Sequence, residues 1–290
     1  MSCKIISLIN MKGGVAKTTL SIGISDYLSS IGKKILIIDA DPQFNATQAL
    51  LDEYSKNKDY TNKNQDDSSK NFYTNEILDK EKTIYKLFRF QPNLEKTNEE
   101  PNKDDLIVNL KENLDIICGD LNLVLVNKIN DHYLVKKLHN FIKNNSLREF
   151  YDYIIIDCPP TLTLYTDSAL MASDYYLIPN RIDRYSIIGI DSLQKAVQNL
   201  ITQEDINLKC LGLIYTIVDR KNPKKQKMLK MDFENKETVS NINIFTSMLT
   251  EVSDIQRGRS GALPTKYQNS REDIESISLE LIDKIKKDEE

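Results

Sequence analysis

The sequence predicts an α/β fold, a doubly wound, mostly parallel twisted sheet flanked by helices. Three observations lead there. Short bursts of Ile, Leu, Val and Tyr recur at residues 5–9, 35–38, 114–117, 153–156, 175–178 and 211–217. Stretches with apolar residues at helical spacing lie between them. A Gly-Gly turn joins the first burst to the first helical stretch.

The bursts are nearly continuous in apolar residues, as strands covered on both faces of a parallel sheet must be. Residues 18–30 place Leu20, Ile24, Tyr27 and Leu28 at helical spacing, and residues 186–201 do the same with Ile187, Ile190, Leu193, Val197 and Leu200. Strand–helix alternation of this kind implies right-handed βαβ units. Residues 271–287 put Ile274, Ile277, Leu281 and Ile285 on one face, which reads as a C-terminal helix docked on the body. Residues 52–75 and 97–105 are rich in Lys, Asn, Asp and Ser. Such composition buries too little apolar surface to offset chain ordering, so both read as polar surface insertions flanking a short helix at 76–90. Residues 1–290 are expected to form a single domain.

Composition narrows the function. The 290 residues are 40% hydrophobic, enough for a sizeable core, and the formal net charge is −4. A globally basic protein is excluded, so any nucleic-acid contact must come from a local patch. No apolar run approaches the ~18–20 residues that span a bilayer. Residues 1–4 alone precede the first burst, which leaves no expected room for a signal peptide. Cys3, Cys118, Cys158 and Cys210 are far apart and form no CxxC, so the expectation is a reduced, cytoplasmic chain without structural zinc.

The most informative stretch runs Asn10-Met11-Lys12-Gly13-Gly14-Val15-Ala16-Lys17-Thr18-Thr19. Small residues at 13–16 let backbone N–H groups curl around phosphate oxygens, and a helix N-terminus adds its positive dipole end. Lys17 can bridge β- and γ-phosphates, the Thr18 hydroxyl can ligate Mg²⁺, and Thr19 can reach the α-phosphate. The pattern GxxxxGK[ST] fails at Met11 and Ala16. What fits is the deviant form KGGxxK[ST], with an extra lysine at position 12. Here the sequence resembles the ParA/MinD family of P-loop ATPases, most closely its ParA-type DNA-partition members. That family usually has Gly at the position of Ala16. Alanine is expected to need negative φ there, in helical conformation.

Further segments continue the resemblance. Asp39-Ala40-Asp41-Pro42-Gln43-Phe44-Asn45-Ala46-Thr47 is similar to the family's DxDPQxNAT signature, with Phe44 at its usual Gly. By that resemblance Asp41 orients the attacking water, and Asp39 supports the magnesium shell or the loop. Residues 153–160, Tyr-Ile-Ile-Ile-Asp-Cys-Pro-Pro, resemble its Walker B strand, so Asp157 would hold Mg²⁺. Residues 170–179 continue the family pattern to Pro179, which joins the nucleotide-binding set. Thr216 and Asp219 resemble the strand and loop that flank the adenine. The resemblance covers about residues 4–55, 83–125 and 147–264. After Pro179 the family often has a short motif containing Glu, whereas this chain has Asn180-Arg181-Ile182-Asp183-Arg184, and no role transfers to those positions.

The resemblance also implies a switch. The extra lysine, Lys12 here, reaches across a two-fold interface to the other subunit's nucleotide, so ATP favours a homodimer and hydrolysis releases it. Lys12, Lys17 and Asp41 are the catalytic candidates. Arg220, Lys221, Lys224, Lys225, Lys227 and Lys230 form a run without an acidic residue, joined by Arg257 and Arg259. Such groups neutralise phosphates without reading sequence, so non-specific DNA binding is expected; a solvated basic loop is the plain alternative. The implied protein is a cytoplasmic, nucleoid-associated, Mg-dependent ATPase of weak intrinsic turnover. It sorts a plasmid or chromosome with a ParB-like, centromere-bound partner. A MinD-like membrane-associated ATPase is the alternative, but residues 284–290 lack Trp and Phe and follow several glutamates, which argues against a membrane anchor.

Overall fold

The computed structural model describes residues 2–55, 72–89, 100–126, 132–183, 186–219, 223–251 and 261–290. Its strands are β1 (Lys4–Leu8), β2 (Ile35–Asp39), β3 (Ile107–Lys111), β4 (Leu114–Ile117), β5 (Tyr153–Asp157), β6 (Tyr175–Arg181) and β7 (Lys209–Thr216). They form one 7-stranded sheet in the order β3-β4-β2-β5-β1-β6-β7. All neighbours are parallel except β3, which runs antiparallel to β4 at the edge.

The longer helices are α1 (Lys17–Ser30), α2 (Asn45–Tyr54), α3 (Lys137–Asn144), α4 (Leu164–Ala172), α5 (Ser186–Glu204), α6 (Pro223–Glu234) and α7 (Gln268–Glu289). Strand residues alternate between two cores. Ile37, Ile155 and Leu177 join the core under α1 and α7, while Ile38, Ile156 and Ile178 join the one under α4 and α5. This two-sided burial is why the strands read as unbroken apolar bursts rather than alternating ones. The C-terminal helix buries Ile274, Ile277, Leu281 and Ile285 as its spacing predicts. It lies against α1, where a Cβ on Gly23 would come within 2.7 Å of Ile274 Cδ1.

Three expectations need correction. The edge strand β3 went unread. It begins just after the polar stretch and turns into β4 through Glu112 and Asn113, the latter at φ 61°. The helix expected at 76–90 is instead a π-helical turn, Tyr73–Leu78, and a short helix, Tyr85–Phe88. Glu81 at φ 52° breaks the run, and Thr83 pairs with Cys118 at the end of β4. Asp52 and Glu53 belong to α2, not to the polar insertion, of which residues 56–71 lie outside the described residues. In the second insertion, Lys103–Asp105 form a 3-10 turn capped by Asn102, and residues 97–99 lie outside the described ones.

Candidate nucleotide site

The carboxyl ends of β1, β2, β5, β6 and β7 meet at one edge of the sheet, where open α/β folds place their ligands. Asn10, just beyond β1, clamps this edge. Its Nδ2 donates to the Pro179 carbonyl at 2.8 Å, and its Oδ1 accepts from Lys12 N at 2.9 Å. The chain then curls through the glycines into α1. Gly14 has φ 68° and Ala16 φ 61°.

The expectation of negative φ at Ala16 is therefore wrong. Ala16 is the residue before α1 and sits in the left-handed region. Alternating hand along such a turn points successive N–H groups into one concavity. The requirement falls on the backbone, and alanine meets it at a cost of about 1 kcal/mol over glycine. Phe44, at the second position where glycine is usual, repeats the pattern before α2 with φ 41°. Its ring stacks on Tyr73 with centroids 5.2 Å apart.

No side chain caps α1. Its first N–H groups and positive dipole end therefore face the loop without a side-chain acceptor, an arrangement suited to an anion. Gly13 and Gly14 are exposed, Val15 is buried, and Thr19 is half-buried on the first turn. Lys17 is buried and donates to the carbonyls of Asn10 at 3.2 Å and Lys12 at 3.3 Å. Burial lowers its pKa, and the charges of Asp157 and Asp41 resist that.

Asp157, at the end of β5, is wholly buried. It accepts from the Thr18 hydroxyl at 2.7 Å and the Ser21 hydroxyl at 2.9 Å. Burial raises its pKa, and those two bonds hold it down. A hydroxyl and a carboxylate side by side at the helix entrance are hard oxygen donors of the kind magnesium takes. That ion keeps waters and phosphate oxygens as its remaining ligands, so these two residues fit it.

Asp39 is used differently. Both its oxygens serve the chain: Oδ2 accepts from Thr47 N and Oγ1 at 2.8 and 2.7 Å, and Oδ1 from Asp41 N at 3.3 Å. Of the two roles offered for it, this geometry matches support of the loop. Burial, and then the nearby charge of Asp157, push its pKa up to about 8. Asp41 is nearly buried. Its Oδ1 accepts from Gln43 N at 2.9 Å, and its Oδ2 takes no hydrogen bond among the described residues.

The remaining candidates divide. Thr216 is buried and donates its hydroxyl to the Val15 carbonyl at 2.9 Å, so together with Pro179 it braces the loop. Asp219 is half-buried just beyond β7. The Lys12 ammonium is ion-paired with Asp183 of the same chain. Most side chains of the basic set lie outside what the structure describes. Arg220, Lys221, Arg257 and Arg259 lie outside the described residues, and Lys224, Lys225 and Lys227 are placed on α6 by backbone alone. Lys230 is the member of the set whose side chain is described, one-third exposed on α6. Its ammonium lies 3.7 Å from Glu234 and 4.8 Å from the centre of the Tyr215 ring.

Asn10, Ser21, Thr47 and Asp183 are site residues that sequence reasoning missed. Ser21 stands one turn after Thr18, and Thr47 ends the DxDPQxNAT stretch, so a signal existed for both. Asp183 had none.

Comparison with known proteins shows the family. Residues 3–210 match a family model described as an AAA domain. The sporulation initiation inhibitor protein Soj of Bacillus subtilis is 32% identical over 74% of this chain and 73% of its own. The chain belongs to the ParA/MinD family of P-loop ATPases. Among solved ParA-like structures, apo McdA of Cyanothece superposes with a TM-score of 0.71 at 22% identity, covering 97% of this chain and 99% of its own. A putative plasmid partition protein of Borrelia burgdorferi, bound to AMPPNP, superposes at 0.68 and 22% identity over 97% and 98%. These two show a shared fold.

Proposed function

We propose that this chain is a DNA-partition ATPase that binds ATP with Mg²⁺ at the loop 12–19, forms an ATP-bridged homodimer and coats DNA without sequence preference. The observation that carries the reading is the contact of Thr18 with Asp157 at the mouth of the uncapped α1, beside the buried ammonium of Lys17. Phosphoryl transfer to water needs positioning and charge stabilisation more than covalent chemistry. Lys17 neutralises charge on the β- and γ-phosphates, and the backbone of residues 13–18 cradles them. Thr18 and Asp157 hold the magnesium, which when bound offsets developing charge on the phosphate oxygens. Asp41 orients the attacking water through its Oδ2. Asp39 and Thr47 fix the turn that carries Asp41. Lys12 supplies the second cation, in trans, to the other subunit's nucleotide.

Pro179, Thr216 and Asp219 border the adenine in this reading. Arg220, Lys221, Lys224, Lys225, Lys227, Lys230, Arg257 and Arg259 supply the DNA-contacting charge, and a ParB-like protein stimulates turnover on the nucleoid. Relatives named for chromosome and plasmid partition support the assignment. The MinD-like alternative finds no support in α7, whose Ile274, Ile277, Leu281 and Ile285 are buried against the body rather than offered to lipid. Among the described residues no helix is long and apolar enough to cross a membrane.

Gel shifts with random-sequence duplex test the reading. Binding should require ATP and Mg²⁺ and fall steeply between about 50 and 200 mM salt. ATP-independent binding, or none at low salt, would refute it. Sedimentation with anionic vesicles tests the membrane alternative.

A further inference from the structure

The geometry points to Asp183 as the residue that positions Lys12: in the nucleotide-free chain it holds the ammonium over its own loop, and the lysine must leave it to reach another subunit's nucleotide. The second half of this rests on the dimer proposed above. The contact itself does not.

Lys12 is fixed at both ends by one strand exit. Its backbone N–H goes to Asn10 Oδ1, and Asn10 Nδ2 goes to the carbonyl of Pro179 on β6. Four residues beyond Pro179, the carboxylate of Asp183 takes the Lys12 ammonium. Loop and strand exit are therefore tied together by the Asn10 clamp and by this ion pair. Both partners remain about one-third exposed, at 34% and 30% of their side-chain surface. Exposed pairs of this kind are worth only a few-fold in an equilibrium. A hold of that size can be overcome by a triphosphate, whose charge offers the ammonium a stronger partner.

A second observation marks the same strand exit as able to rearrange. Asn180 is wholly buried, and neither its Oδ1 nor its Nδ2 finds a hydrogen-bond partner among the described residues. Buried polar groups seldom stay unpaired, so residues 180–183 are where a second arrangement of this exit would gain a hydrogen bond. Such a segment suits a two-state element that nucleotide can bias.

Trace acetylation of the purified chain, read by mass spectrometry as Lys12 reactivity relative to Lys33, measures the hold without nucleotide. Asp183→Asn should raise Lys12 reactivity about 3-fold, and Asp183→Glu should restore the wild-type value. Sedimentation with Mg-ATP then measures release. Asp183→Asn should dimerise at about 3-fold lower protein concentration than wild type, with fluorescent-ATP binding as its control. Lys12 reactivity indifferent to Asp183→Asn would overturn the proposal. So would a dimer weakened by Asp183→Asn, because Asp183 would then serve the assembled state. If Lys12 responds but no variant dimerises, the hold stands and the proposed ATP-bridged dimer fails.

Discussion

The Thr18 hydroxyl donates to Asp157 across 2.7 Å, joining the first turn of α1 to the end of β5. Asp157→Asn removes the negative charge from the pair that would hold magnesium. The Mg²⁺ concentration for half-maximal ATP hydrolysis should rise about 10-fold or more. A magnesium titration of ATPase activity checks this, and an unchanged midpoint would remove Asp157 from the metal's shell.

Lys17 is buried and, among the described residues, bonded only to the loop carbonyls of Asn10 and Lys12, which a phosphate can replace. Loss of a charge-assisted contact costs about 1.5–3 kcal/mol, so Lys17→Ala should weaken ATP binding by about 10- to 100-fold. Equilibrium binding of a fluorescent ATP analogue measures it. Wild-type affinity in the variant would refute the phosphate role.

Asp41→Ala separates binding from turnover. Losing the group that orients the attacking water should lower kcat by about 100-fold or more, while ATP affinity stays within about 3-fold. Steady-state kinetics and binding, measured on the same preparation, decide. Normal hydrolysis would exclude Asp41 from the chemistry.

Ala16 holds a left-handed conformation at φ 61°, with its methyl partly buried against the core under α1. Ala16→Gly should stabilise the chain by about 1 kcal/mol, a melting temperature about 2–4 °C higher. Phe44→Gly gives a contrasting case, since it relieves φ 41° but removes the stack on Tyr73, and its net gain should be smaller. Thermal melts of both variants test the comparison. A lower melting temperature for Ala16→Gly would show that strain at this position is not limiting.

Asp39 and Asp157 both titrate above the ordinary carboxylate range, chiefly because burial disfavours their charge. An acid whose pKa is higher folded than unfolded contributes its stability in full below the unfolded value, near 4. That contribution is lost as pH rises through the folded value, about 8 for Asp39. The nucleotide-free chain should therefore lose stability from this pair between about pH 4 and pH 8, and Asp39→Asn should flatten part of that slope. Denaturant melts at pH 5.5 and 8 compare the two, and parallel curves would contradict the assignment.

Much of this protein could be read before any coordinates. Strands buried on both faces announce themselves as apolar runs, and the deviant phosphate loop, the DxDPQxNAT stretch and Asp157 are local patterns in contiguous residues. β3 escaped because it is an edge strand with one open face, set against polar sequence. The helix at 76–90 was misread because a parallel bridge from Thr83 to Cys118 overrides its local propensity.

The sequence by itself determined six of the seven strands, the phosphate loop and the identity of its chemical groups, because each is written in residues that are neighbours along the chain. Only the tertiary structure decided what those groups touch. Asp39 turns to Thr47 while Asp157 turns to Thr18 and Ser21, Ala16 adopts the left-handed region, and Lys12 meets Asp183. Lys12 and Asp183 stand 171 positions apart, and their meeting follows from β1 and β6 lying side by side in the sheet.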